Sequence, residues 1–381
     1  MSKFKVTGQD IGNHGHKAVF GSKPEDQFLI PMQVKFPTKR STNMTQDEAP
    51  ENLLDYYKLK INSSALSDKY NNKTILVGLC AEGGREMVQG SKKHLEDLPV
   101  IVSLASMAYH ALNTNPKKKL ITAHYAPVYG IPLSYFDFDA RDAFEDRMQG
   151  SHSVTIETLG YECTVSINIE MDAVVPEDAI YVYDLERDWK GKLKESPVSK
   201  QDILIIGIGQ LTTDCGYVSK MKFDDNRSFP IDFGAASTKD RFRYDFNTEL
   251  SKKDNTAFRI VNRNHLDKII NNDFIIEELS HSIKTVFESY VEEDALNLVD
   301  DILNNVRMRK LAPHMVVGIG GGIQVYKNYI MNRLSEAGID LKIDSQPEFA
   351  TARALYKWGM SERSGFHEDA SEGQANVSVE A

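Results

Sequence analysis

Ile203, Leu204, Ile205 and Ile206 form an unbroken aliphatic run that reads as a buried strand. A polar stretch with glycines and hydroxyl side chains follows, and residues 215–218 resume as a returning strand. The start of the chain repeats the pattern. Residues 4–9 lead into a glycine-containing polar turn over 10–17, and residues 18–20 return. Further strands are predicted at 28–36, where Pro31 marks an edge or bulge, and at 75–79, 120–125, 227–233, 315–319 and 341–343. Residues 154–169 alternate about Gly160 as a hairpin.

Helical periodicity marks residues 98–112, with Asp97 as cap and Pro99 in the first turn. Helices are also predicted at 140–148, from Pro176 and Glu177 toward Asp188, once or twice across 273–310, at about 324–337 and at 348–360. Strands that alternate with helices imply a parallel or mixed sheet, and the repeated hairpin implies that this α/β arrangement occurs twice. A chain of 381 residues suits two domains. The expected division is 1–188, with a small polar subdomain at about 37–73, and 189–345, with another at about 224–272. A helix over 346–362 is expected to return to the first domain, and 363–381 reads as a disordered tail poor in large aliphatics.

Composition narrows the function. The net charge is −10, which disfavours direct grip on a nucleic-acid backbone. Cys80, Cys163 and Cys215 are widely spaced and read as reduced thiols, with neither a disulfide framework nor zinc spacing. No apolar run has transmembrane length and no signal peptide is evident, so a cytoplasmic location without membrane contact is expected.

Both hairpins have the makings of a phosphate grip. Gly207 and Gly209 let the backbone approach a ligand, and Thr212, Thr213 and Asp214 follow with polar side chains. In the first hairpin Asp10 opens the turn, Gly12 permits close approach, and Lys17 supplies a point charge for a β- or γ-phosphate. Two such hairpins about two hundred residues apart suggest a duplicated fold closing on one nucleotide. There is no Gly-x-x-x-x-Gly-Lys-Ser/Thr, which argues against a P-loop enzyme. His14 and His16 lack a third metal ligand nearby, Asp137 and Asp139 read as an exposed turn, and Lys117 to Lys119 as a solvated loop.

Asp10-x-Gly12-x-x-x-x-Lys17 resembles the first phosphate motif of the actin superfamily, and Gly209-x-x-Thr212-Thr213-Asp214 resembles the second. Gly320-Gly321-Gly322 after an apolar strand resembles the adenosine motif. Val175-Pro176-Glu177 and the segment from Glu348 to Tyr356 are similar to the bacterial ParM and Alp plasmid-segregation actins. The resemblance spans about residues 4–360 and implies an actin-like (ribonuclease H-like) duplicated α/β fold, two domains with a nucleotide cleft between them. It implies a polymerising ATPase or GTPase whose filaments segregate plasmid DNA. Self-association would be head to tail, and the centromere would be reached only through a DNA-binding adaptor protein.

In that resemblance ATP or GTP is held by Asp10, Gly12, Asn13, His14, Gly15, Lys17, Gly209, Gln210, Leu211, Thr212, Thr213, Gly320, Gly321 and Gly322. Asp10 and Asp214 would hold Mg²⁺ through water, and Glu177 would align the attacking water, so Glu177, Asp10 and Asp214 are the candidate catalytic residues. One departure stands out: Gly207 occupies the place of an expected aspartate, and Gln210 that of a glycine. Slow or impaired hydrolysis is the implied consequence. The alternatives are a small-molecule kinase of the same superfamily, for which no substrate-binding acid is evident, and a nucleotide-dependent scaffold that does not hydrolyse.

Overall fold

The computed structural model describes residues 4–38, 48–87, 92–132, 138–177, 179–195, 197–253, 258–276 and 281–372. The chain forms two compact units, Met1–Ser199 with Phe349–Ala381, and Lys200–Glu348.

The first unit opens with the hairpin β1 (Lys5–Ile11) and β2 (Gly15–Val19), then β3 (Gln27–Pro31), β4 (Gln33–Lys35), β5 (Tyr57–Asn62), β6 (Thr74–Val77) and β7 (Arg85–Glu86). Next come α1 (Asp97–Thr114), β8 (Leu120–Ile131), α2 (Phe138–Met148), β9 (Gly150–Ile156), β10 (Cys163–Ile169), β11 (Ala173–Pro176) and α3 (Val182–Glu186). The strands make one 11-stranded sheet in the order β3-β2-β1-β8-β10-β9-β5-β6-β4-β7, with β11 beside β8.

The second unit runs β12 (Asp202–Ile208), β13 (Thr213–Ser219), β14 (Lys222–Phe223), β15 (Phe229–Ile231), α4 (Ala235–Lys253), α5 (Arg263–Asn271), β16 (Ile275–Ile276), β17 (His281–Ser282), α6 (Lys284–Met308), β18 (Met315–Ile319), α7 (Ile323–Glu336) and β19 (Leu341–Ile343). Its main sheet is ordered β14-β13-β12-β18-β19, with β15 beside β13. The chain then rejoins the first unit as α8 (Ala350–Glu372).

The two sheets share one plan. In the first, β2 is antiparallel to β1, β1 is parallel to β8 and β8 to β10. In the second, β13 is antiparallel to β12, β12 is parallel to β18 and β18 to β19. A hairpin followed by two parallel strands thus occurs twice, the duplication that the recurring hairpin pattern implies.

Each unit has its own core. α1 is apolar nearly all round and therefore buried along most of its length. Its Val100, Ile101, Leu104 and Met107 share a cluster with Ile11, Tyr129, Val165 and Ile167 of the sheet. In the second unit, Ala295, Leu298 and Ile302 of α6 and Tyr326 and Ile330 of α7 cluster with Ile206, Cys215 and Tyr217.

Local departures from the sequence reading have physical causes. The stretch expected as one strand at 28–36 divides at Met32, with β3 pairing β2 and β4 pairing β6 and β7, after the Pro31 that signalled a break. Asp97 does not cap α1. It lies within the helix, and its carboxylate accepts from Arg147 at 2.6 Å and from Ser67 at 2.5 Å. Pro176 and Glu177 do not begin a helix. Pro176 ends β11, a short 3₁₀ turn covers Ala179–Tyr181, and α3 starts only at Val182. Ile275–Ile276 and His281–Ser282 pair as the short strands β16 and β17, residues 277–280 lie outside the described residues, and helix begins only at Lys284. Within the polar stretch at 37–73, β5 joins the large sheet through β9, while 39–47 lie outside the described residues. The terminal helix α8 runs to Glu372, past its expected end at 362, and 373–381 lie outside the described residues.

Candidate functional site

In both sheets the residues singled out by sequence gather at the C-terminal ends of parallel strands, where open α/β sheets bind ligands. Asp10 lies near the end of β1, paired across the hairpin with Lys17. Directly opposite residues of an antiparallel pair face the same side, and the Lys17 ammonium lies 3.3 Å from the Asp10 carboxylate. Both side chains are largely shielded. Gly12 makes room for that lysine, since a Cβ there would lie 2.6 Å from Lys17 Nζ. Asn13 is half-buried in the turn, His14 is exposed, and Gly15 is buried at the start of β2.

The alternating residue His16 faces the other way, into the core. Its Nε2 donates to Gln9 Oε1 at 2.5 Å, and Ser106 donates to the same oxygen at 3.1 Å. Burial, reinforced by the positive charges of Lys17 and Lys93, lowers the His16 pKa to about 3. A neutral imidazole fixed inside the sheet has no part in a His14–His16 metal pair. Among the described residues, no group of three or more His, Cys, Asp and Glu is placed to hold a metal ion.

Glu177 follows β11, its N–H donating to Ile131 O at 2.7 Å. Gly130 of β8 lies between Asp10 of β1 and Val175 of β11 in the sheet. A Cβ on Gly130 would sit 2.7 Å from Glu177 Cγ, so the glutamate stem lies across the space that this glycine leaves. The Glu177 carboxylate accepts from Lys93 Nζ at 2.9 Å, and Lys93 is 4% exposed. Sequence reasoning missed Lys93 and Gly130. Lys93 sits among other polar residues at 91–96, and no spacing distinguishes it from Lys92.

The second hairpin is joined to the glycine run. Gly209 N donates to Thr212 O at 2.9 Å, closing the turn. Gly322 N donates to Ile208 O at 2.9 Å, and Ala235 N and Ala236 N donate to Gly209 O and Gln210 O at 3.1 and 2.8 Å. The N-termini of α7 and α4 therefore both meet this turn, and helix N-termini favour anions. Gly320 has φ +86°, and a Cβ there would stand 2.4 Å from Ile208 O, so both conformation and space demand glycine. Gly321 lies beside Glu348 and Gly322 beside Gly209 O.

The side chains of the turn divide by direction. Gln210 Nε2 is buried with no hydrogen-bond partner among the described residues, a donor available to a ligand. Leu211 is buried and offers the turn only its backbone polar groups. Thr212 Oγ1 donates to Asp214 Oδ2 at 3.3 Å. Thr213 differs from the expectation of a phosphate contact. It alternates to the opposite face, is fully buried, and its hydroxyl donates to Phe233 O at 2.8 Å.

The strand register relates the two hairpins. Asp10 pairs with Lys17 and Ile11 with His16, whereas Gly207 pairs with Asp214 and Ile208 with Thr213. Gly207 thus holds the place of Asp10, Gly209 that of Gly12, Thr213 that of His16 and Asp214 that of Lys17. An open cavity of about 260 Å³, lined by Arg243, Tyr244, Asn247, Thr248 and Arg259, includes no residue of either hairpin.

Residues 8–177 match the family model for the N-terminal domain of actin-like proteins. No curated protein matches the sequence. Among solved structures, actin-like protein Alp7A aligns with a TM-score of 0.74 over 97% of this chain and 99% of its own, at 15% identity. The 15-stranded ParM filament from Clostridium botulinum aligns with 0.70 over 94% and 99%, at 17% identity. Bacillus thuringiensis ParM with ADP aligns with 0.67 over 94% and 99%, at 15% identity. Likeness at these identities shows the fold.

Proposed function

We propose, from the premise that this chain has the actin-like fold and bears at residues 8–177 the N-terminal domain of the actin-like proteins, that it is a nucleotide-dependent filament former that segregates plasmid DNA through an adaptor protein. The observation that carries this reading is that each unit has a hairpin turn at strand C-termini, one with Asp10 and Lys17, the other with two helix N-termini. Each turn is suited to the phosphates of ATP or GTP. Solved relatives support the ligand and the assembly: B. thuringiensis ParM is seen with ADP and with ATP, and C. botulinum ParM as a filament. Among the described residues no helix is long and apolar enough to cross a membrane, and the filament is proposed to be cytoplasmic.

Lys17 supplies a point charge to the terminal phosphates. The turn N–H groups, Gln210 Nε2 and the N-terminus of α7 supply neutral donors. Gly320 to Gly322 carry the base and ribose past the backbone. Magnesium fits a carboxylate facing substrate phosphates, because it binds through one or two carboxylates plus those phosphates and keeps several waters. The carboxylates of Asp10 and of Asp214 each suit such an ion through its water, and it would neutralise charge on the phosphates. Glu177 orients the attacking water, since phosphoryl transfer depends on alignment and electrostatics. With Gly207 in place of a carboxylate, turnover is slow, and a hydrolysis-impaired scaffold is the second reading that this residue favours.

The test is sedimentation and electron microscopy with Mg-ATP, with Mg-GTP and without nucleotide. Filaments are expected only with nucleotide. Monomers at high concentration under every condition would sink the reading. Glu177→Ala should reduce phosphate release on the order of 10²-fold while assembly persists.

A further inference from the structure

We propose that Lys93 is a positioning residue for hydrolysis: its ammonium, held on a pinned turn, fixes the carboxylate of Glu177 over Gly130. The proposal rests on the hydrolytic reading above.

The turn that carries Lys93, the 3₁₀ segment Lys93–Leu95, leads directly into the buried helix α1. Arg147 of α2 clamps it by donating from Nη1 to His94 O at 3.0 Å and to Glu96 O at 2.9 Å. The same guanidinium pairs with Asp97 at 2.6 Å. The base of the lysine is thus fixed by a second element before its side chain reaches the site.

At the other end, the Lys93 and Glu177 side chains are 5% and 12% exposed and 2.9 Å apart. The Glu177 stem fills the gap over Gly130, the β8 neighbour of Asp10. An acid anchored at its stem by a glycine gap and at its head by an ammonium has little rotamer freedom left. Water alignment demands that restriction, because small misplacement at a reacting centre is costly.

Stability alone does not account for the pair. Burying two charges costs desolvation that their attraction scarcely repays, and apolar replacements of similar volume are often neutral or better. The positive charge of Lys93 also reaches His16 on the first hairpin, together with that of Lys17. Lys93 is therefore electrostatically near the first hairpin as well as bonded to Glu177.

A mutant cycle on the full chain separates the roles. Phosphate release is measured against Mg-ATP concentration for wild type, Lys93→Met, Glu177→Gln and the double variant, each checked for its melting temperature. Lys93→Met should lower kcat about tenfold or more with KM little changed. Lys93→Arg, which keeps the charge, should retain most of the rate. In the Glu177→Gln background, Lys93→Met should change kcat by no more than about twofold, since the two residues act as one unit.

An unchanged kcat in Lys93→Met would overturn the proposal. So would a raised KM with kcat intact, which would mark Lys93 as a direct phosphate contact, or losses that multiply in the double variant. If Lys93→Met does not fold, Lys93→Gln carries the same comparison. A folded wild type that assembles but releases no phosphate would overturn the hydrolytic reading itself, and this role with it.

Discussion

Where β1 carries Asp10 opposite Lys17, β12 carries Gly207 opposite Asp214. The backbones of the two hairpins follow one register, yet their outward-facing pairs carry different charge. The first is an ion pair with no net charge, and the second sets a carboxylate opposite a glycine. Facing inward, the first hairpin has His16 bonded to Gln9, and the second has Thr213 bonded to the Phe233 carbonyl. The first turn holds a side-chain cation, Lys17, beside its carboxylate. The second turn is instead bonded through its carbonyls to the N-termini of α4 and α7. The duplication therefore kept the backbone plan while the side chains diverged.

The strongest way to break this comparison is to attack the backbone grip. Gly320→Val places a Cβ 2.4 Å from Ile208 O at φ +86°. Strain of that kind costs on the order of 1–3 kcal/mol before any clash is counted. The second unit should lose stability on calorimetry and nucleotide binding with it. A variant that melts like wild type would mean that the glycine turn does not define the second grip. Next in size is the side-chain grip: Lys17→Met should weaken nucleotide binding about 10- to 100-fold, the range for a hydrogen bond to a charged group. The loss should be smaller at high salt, because the removed term is Coulombic. An unchanged Kd would show that the first hairpin also works through its backbone.

The inward pair makes a pH prediction. The His16 pKa is lowered to about 3 by burial and then by Lys17 and Lys93, and that of His110 to about 3 by burial and then by Lys5. Both lie in the first unit. A histidine held neutral in the fold contributes stability that is complete above its unfolded pKa near 6.5 and is lost as pH falls from there toward 3. The slope is about 1.4 kcal/mol per pH unit per histidine, or roughly 2 kcal/mol each at pH 5. Trp189 and Trp358 are both in the first unit and report its unfolding by fluorescence. Between pH 7 and 5 that signal should shift to lower denaturant. His16→Thr, which copies the second hairpin, should remove one histidine's share of the slope. An unaltered slope would mean that His16 is not buried as the neutral form.

Much of this was legible in the sequence, and the limits have physical reasons. The aliphatic run 203–206 and the glycine turns marked both hairpins, because strand and turn chemistry are local. Glu177 was singled out through its Pro-Glu setting, although its helix was misplaced: Pro176 suits a strand end as well as a helix start. Thr213 was read with Thr212 because the two are adjacent in sequence, yet strand alternation sends them to opposite faces. Lys93 was illegible, since its role depends on a contact across 84 sequence positions. The same holds for Gly130, whose missing Cβ matters only because a distant glutamate lies over it.

The smallest expected effect sharpens the comparison most. Gly207→Asp restores to β12 the acid that β1 carries, but opposite Asp214 in place of a lysine. Like charges directly opposite on an antiparallel pair destabilise by roughly 0.2–1 kcal/mol. In the absence of nucleotide and metal, calorimetry should show a melting point lower by at most about 2–4 °C. Mg-ATP should stabilise this variant more than it stabilises wild type, because two carboxylates on one face suit an ion that prefers oxygen ligands. Phosphate release should rise as well. The excess stabilisation is the deciding measurement, since it requires metal and does not depend on turnover. If Mg-ATP raised both melting points equally, position 207 would not face the ion. The likeness of the hairpins would then end at their backbones, with Asp214 serving only to order Thr212.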